Sequence, residues 1–195
     1  NKDLLEILTK VGNNVLDWTG SECYFFRQAC MNGHLNIVKI LLEYGASPSM
    51  YNDRNWGILH DACDAGQTDV VRTMVKYTNR IDDKSIHEGI TPLMLAARDG
   101  NIEIMSVLHG SGAEIDMRDH RQRSALCYAF VNRQLEAFQF LISLGANYKI
   151  LQESSPYPGD IGFLIEVLEL GLCVDAGLLF GVWMNGSVDL LKRTI

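Results

Sequence analysis

Gly89-Ile90-Thr91-Pro92-Leu93-Met94-Leu95-Ala96-Ala97-Arg98-Asp99-Gly100-Asn101 is the stretch whose reading decides the fold, because it recurs. Slid by 33, 34 and 33 residues, the chain brings Gly33, Gly66, Gly100 and Arg133 into one column. In front of that column stand Gln28-Ala29-Cys30, Asp61-Ala62-Cys63, Leu95-Ala96-Ala97 and Tyr128-Ala129-Phe130. Behind it run apolar segments: Ile37-Val38-Lys39-Ile40-Leu41-Leu42, Val70-Val71-Arg72-Thr73-Met74-Val75, Ile104-Met105-Ser106-Val107-Leu108 and Ala137-Phe138-Gln139-Phe140-Leu141-Ile142. Each copy closes on Gly45-Ala46, Gly112-Ala113 or Gly145-Ala146, with Thr78-Asn79-Arg80-Ile81 as the divergent member. A period of this length is the signature of a stacked repeat array.

Each residue type has a physical task. Small Ala and Cys side chains let two antiparallel helices approach closely, and the glycine ending the first helix takes a left-handed conformation that other residues resist. Asn is the next best choice there, which suits Asn55 standing where the following unit has Gly89. Arg133 lacks that freedom, so its turn is expected to be strained or reshaped. Apolar residues at i, i+3 and i+4 of the second helices bury a stripe against the neighbouring unit, so a lone unit is not expected to fold.

The pattern resembles the ankyrin repeat, whose signature reads Thr-Pro-Leu-His-x-Ala-Ala-x-x-Gly-His and then Ile-Val-x-x-Leu-Leu-x-x-Gly-Ala. Gly89 to Asn101 is the best copy; elsewhere the opening drifts to Tyr24-Phe25-Phe26-Arg27, Gly57-Ile58-Leu59-His60 and Ser124-Ala125-Leu126-Cys127. The resemblance implies an all-α solenoid of antiparallel helix pairs with β-hairpin-like finger loops. Repeats are placed at 18–50, 51–83, 84–117 and 118–150, after a half repeat at 3–17. A shortened unit at 151–175, carrying Pro156 and Pro158, and a truncated one at 176–195 follow. With no polar capping unit at the end, the chain is expected to be a segment of a longer protein.

Composition narrows the class. The 195 residues are 47% hydrophobic, enough for a continuous stacked core. No apolar run approaches the ~20 residues of a membrane span, and no basic-then-apolar leader opens the chain. Five cysteines without a Cys-x-x-Cys pair argue against a disulfide framework, so an intracellular location, cytoplasmic or nuclear, is expected. Cys30 and Cys63 share the slot of Ala97 and read as small buried apolar side chains.

Catalytic motifs do not emerge. The chain has no phosphate loop, no Gly-x-Gly-x-x-Gly after a strand and no His-Glu-x-x-His, and its five histidines lack metal-ligand spacing. His34 and His60 fall on signature positions, which implies structural hydrogen bonding. His109-Gly110-Ser111-Gly112 lacks the strand of a nucleophile elbow. No enzyme activity, cofactor, metal or small-molecule substrate is expected.

The remaining signal is a surface. In such an array the finger tips and the outward side of the first helices form one concave strip, free of packing duty. It reads Trp18, Glu22 and Asn32; Asp53, Arg54, Trp56, Asp61 and Asp64; Glu88, Arg98 and Asp99; and Arg121 and Tyr128. Acids beside aromatics suit a basic protein or peptide, whose cation a Trp ring can take while carboxylates hydrogen-bond it. Trp56 either anchors such a partner or packs across its finger onto a neighbour. A net charge of −7 agrees with a basic partner and repels nucleic acid except at Arg118, Arg121 and Arg123. Trp56-Gly57-Ile58-Leu59-His60-Asp61-Ala62-Cys63-Asp64 is also similar to a stretch of tonsoku-like histone-tail-reading ankyrin modules. That resemblance implies gripping of a lysine region by Trp56, Asp61 and Asp64. A third expectation is a structural role, as the cytosolic array of a channel or a ubiquitin-ligase substrate receptor.

Overall fold

In a computed structural model the described residues are 21–48, 51 and 56–153. They form four helix pairs: α1 (Ser21–Met31) with α2 (Leu35–Glu43), α3 (Ile58–Asp64) with α4 (Thr68–Met74), α5 (Pro92–Arg98) with α6 (Ile102–Gly110), and α7 (Ala125–Val131) with α8 (Leu135–Ser143). A single turn, α9 (Ile150–Glu153), follows. The odd-numbered helices α1, α3, α5 and α7 pack in one row and the even-numbered α2, α4, α6 and α8 in a second, each helix touching its partner and its counterpart in the next unit. The half repeat at 3–17 lies outside the described residues, as do the truncated unit and all but the first three residues of the shortened one.

The column of glycines builds the turn between paired helices. Gly33, Gly66 and Gly100 sit at φ +70°, +70° and +71°. This left-handed residue swings the next amide back onto an alanine carbonyl: His34 onto Ala29, Gln67 onto Ala62, Asn101 onto Ala96 and Gln134 onto Ala129, at 2.9 to 3.0 Å. Arg133 takes the same conformation at φ 56°, so its turn is not reshaped. Its Cβ bears the steric cost that glycine avoids.

Ala29, Ala62, Ala96 and Ala129 are buried, as are Cys30 and Cys63 in the slot of Ala97. Burial pushes the Cys63 thiol well above its ordinary range, in keeping with an inert core residue. In the last pair that slot holds Phe130, whose ring tilts against Phe138 at 6.1 Å between centroids. The outer helices contribute Val38, Leu41, Leu42, Val70, Val71, Met74, Ile104, Met105, Leu108, Phe138 and Leu141 to one cluster running through all four pairs. Full burial of one such side chain is worth about 1.5–3 kcal/mol, and the contact is shared between the partner helix and the neighbouring units.

The fingers contain no regular strand among the described residues. One antiparallel bridge joins Tyr51 to Gly57. The next finger closes by Ser85 N–H to Ile90 C=O at 2.8 Å and Gly89 N–H to Ser85 C=O at 2.9 Å. The last closes by Asp119 N–H to Arg123 C=O at 2.9 Å. Six positions separate Ser85 from Thr91, but five separate Asp119 from Ser124, so the one 34-residue spacing takes its extra residue in the finger. The divergent turn at Thr78 does change shape. Gly45, Gly112 and Gly145 are left-handed at φ +97°, +100° and +89°, whereas Thr78 is not, and α4 stops at Met74.

Candidate functional site

The inner helices present their last turns along one strip. At equivalent register, one repeat apart, stand Met31, Asp64, Arg98 and Val131, followed by Asn32, Ala65, Asp99 and Asn132. Stacking puts residues one period apart within reach of each other, so opposite charges find each other across the units. Arg98 Nη2 donates to Asp64 Oδ1 at 2.5 Å and to Asp99 Oδ2 at 2.7 Å, while Nε donates to Asp99 Oδ1 at 2.8 Å. The two carboxylates, Asp99 foremost, hold the guanidinium in its charged form far above its ordinary range. All three side chains keep between 28% and 39% of their surface open, so a partner can reach them.

Asp61 differs from this expectation. It is 1% exposed and accepts from Arg27 Nε at 3.0 Å, because it lies one turn deeper in α3 than Asp64 and faces α1. Tyr128 is likewise drawn inward, at 8% exposure. Its hydroxyl donates to Asp119 Oδ2 at 2.9 Å and accepts from Arg123 Nη2 at 2.6 Å. Burial and then the Asp119 bond push that phenol above its ordinary range. Asp61 is therefore engaged with the preceding unit and Tyr128 within its own.

The other candidates divide clearly. Asn32, Glu88, Asp99 and Arg121 are exposed. Asn32 folds back on the Gln28 carbonyl at 2.8 Å, and the Glu88 carbonyl receives His120 N–H at 2.9 Å, which ties one finger to the next. Trp56 is half-buried: it packs against the core and tilts over His60 at 6.3 Å, leaving part of the indole open. Trp18, Asp53 and Arg54 lie outside the described residues, as does the Glu22 side chain.

Sequence reasoning passed over Asp119, the hub of the last finger. Its side chain, fully buried, accepts from the amides of Arg121 and Arg123 at 2.8 Å each and from Arg123 Nε at 2.6 Å. Arg123 is committed to this network and lies over the Tyr128 ring at 4.6 Å. The available signal was position: Asp119 precedes the left-handed Gln122 by three residues, as an Asx-turn residue does.

His60 hydrogen-bonds as its signature position implies, Nε2 meeting the Ile90 carbonyl at 2.9 Å. Burial lowers its pKa, only partly offset by that bond. Its Nδ1 has no partner. His34, by contrast, is exposed at the start of α2 and makes no capping bond, contrary to expectation. Among the described residues no helix is long and apolar enough to cross a membrane, and no cluster of His, Cys, Asp or Glu could hold a metal ion.

Helix pairs stacked through one apolar seam, with a left-handed residue at the turn inside each pair, define a repeat solenoid. A family profile described as ankyrin repeats (three copies) matches residues 1–85 and 78–152, and the chain belongs to that family. Ankyrin repeats are protein–protein interaction modules. The chain is 32% identical over 115 residues to the transient receptor potential cation channel subfamily A member 1 homolog of Caenorhabditis elegans, covering 59% of this chain and 10% of that protein. It is 29% identical over 136 residues to the putative ankyrin repeat protein FPV014 of fowlpox virus, covering 69% and 31%. Against the SMC5-SMC6 complex localization factor protein 1 of Bos taurus it is 26% identical over 181 residues, 88% of this chain and 17% of that protein. The matched part therefore spans a third or less of each of these relatives.

Proposed function

We propose that this chain is a non-catalytic docking module that holds a protein or peptide on the strip of finger tips and inner-helix ends. The observation that carries the reading is the open Asp64–Arg98–Asp99 cluster on α3 and α5, a charged feature not consumed by the apolar seam. Asn32, Glu88 and Arg121 extend it with exposed polar side chains, and the open part of Trp56 adds an aromatic contact. A mixed charged strip of this kind steers and orients a partner more than it supplies raw affinity.

A reader of a basic, histone-like tail is the narrower form of this reading, with Trp56 and Asp64 as its contacts. A lysine at Asp64 would exchange with Arg98, which makes binding dependent on salt. Asp61 supports such a reader only indirectly, through its ion pair with Arg27. The likeness to a channel homolog and to a factor named for SMC5-SMC6 localization supports a role inside a larger protein, in the cytosol or nucleus.

The test is a pull-down that compares the unaltered chain with Trp56→Ala/Asp64→Asn/Asp99→Asn and with an outer-row variant, Lys39→Gln/Arg72→Gln. The partner is expected to be lost with the first and kept with the second. A partner that stays on the triple variant overturns the assignment of the strip.

A further inference from the structure

The divergent turn after α4 borders an open recess. Where the repeat has Gly-Ala, the left-handed glycine folds the chain inward and the next alanine seals the seam: Ala46, Ala113 and Ala146 are 5%, 5% and 6% exposed. Their amides return to Leu41, Leu108 and Leu141 at 3.0 Å. Thr78-Asn79 cannot repeat this. The chain instead closes short turns, Lys76 N–H to Thr73 C=O at 3.2 Å and Tyr77 N–H to Met74 C=O at 2.9 Å. The Arg80 amide then bonds the Thr78 hydroxyl at 3.0 Å, and Asn79 stays exposed. The recess beside this turn, about 520 Å³, is lined by Ser47, Lys76, Tyr77, Thr78, Asn79 and Arg80.

Its chemistry is that of an oxyanion site. Two cations, Lys76 and Arg80, and the Asn79 carboxamide line it beside the hydroxyl-bearing Ser47, Tyr77 and Thr78, and no carboxylate lines it. Arg80 is held by Nε to Asp83 Oδ1 at 2.9 Å, which fixes the guanidinium and leaves its terminal nitrogens as donors. Lys76 is exposed and joins no ion pair among the described residues. Two neighbouring cations with the Asn79 carboxamide beside them suit the double negative charge of a phosphomonoester better than the single charge of a carboxylate. Tyr77 is 47% exposed at the rim, and Tyr44, at the same register one unit earlier, is 54% exposed. They offer aromatic surface to residues flanking the phosphate. The chain's net charge of −7 disfavours extended polyanions, which leaves a single phosphate on a peptide as the fitting ligand.

We propose that this recess binds a phosphorylated serine or threonine side chain of a protein partner, at a site separate from the inner-helix strip. The test follows backbone amide NMR shifts in the full chain during titration with acetyl-Phe-phosphoserine-Phe-amide, its unphosphorylated form, and acetate at matched ionic strength. Saturable shifts at Tyr77, Thr78 and Asn79 with the phosphopeptide alone are expected. Lys76→Gln is expected to weaken binding by about tenfold or more, the worth of one charge-assisted bond. Thr78→Gly/Asn79→Ala restores the repeat's own turn, so it is expected to abolish binding while melting no earlier than the unaltered chain. Equal shifts with acetate, unchanged affinity in Lys76→Gln, or capture of phosphatidic acid vesicles but not of the peptide each overturn the proposal.

Discussion

Gly57 and His60 carry the most local consequence of repeat drift. Gly57 holds the extended conformation of an N-cap, φ −68° and ψ 154°, close to Thr91 at φ −97° and ψ 161°. Thr91 accepts from the Met94 amide, while Gly57 offers no side chain to α3. A Cβ on Gly57 would lie 3.1 Å from the unpartnered His60 Nδ1, which puts a hydroxyl introduced at this position within reach of that nitrogen. Gly57→Ser is therefore expected to raise stability by about 1 kcal/mol, read as a melting rise of about 2–4 °C once the ring yields by a few tenths of an ångström. His60 also sets a pH dependence. Its folded pKa lies below the ordinary value of 6.5, so the unfolded chain takes up the proton first as pH falls. Stability from this group is complete above about pH 6.5 and declines below it, and His60→Gln is expected to flatten part of that decline in melting scans from pH 7.5 to 5. A variant no more stable than the parent, with an unaltered pH profile, contradicts this account of Nδ1.

At the scale of elements, the helix pairs and their turns were legible because period and residue type agree at each position. Left-handed residues at 33, 66, 100 and 133 are required by one hydrogen bond that is seen in every pair, and Ala at 29, 62, 96 and 129 by the close approach of the paired helices. The turns also lock unit to unit. A side chain at Gly100 would strike the Gln134 carboxamide of the next unit, and Gly33 stands in the same relation to Gln67, which donates to the Met31 carbonyl at 3.0 Å. Gly100→Ala is expected to cost about 1–3 kcal/mol by chemical denaturation, from the left-handed backbone and the displaced glutamine together. A loss below about 0.5 kcal/mol argues against the interlock. The site was less legible than the fold. Strip residues were read one unit at a time, whereas Arg27 with Asp61 and Arg98 with Asp64 pair across 34 residues, one repeat. The sequence places these charges at matching registers, but which carboxylate turns inward depends on its depth along the helix, and the period alone does not fix that.

For the whole molecule, the governing fact is that one apolar cluster runs through the four described pairs and leaves their inner-helix ends and fingers to solvent. Stability is then a sum of neighbour contacts, while recognition is spread over several units. A partner spanning α3 and α5 engages residues whose mutual geometry is already set by Arg98 between Asp64 and Asp99, so little ordering remains to be done on binding. The central claim is that this strip, and not the outer row, receives the partner. Hydrogen–deuterium exchange on the chain with and without its captured partner tests it most directly. The account predicts slowed exchange in the fingers at residues 84–90 and 118–123 and at the ends of α3 and α5, with α2, α4, α6 and α8 unchanged. Protection confined to those outer helices, with the fingers exchanging as in the free chain, contradicts it.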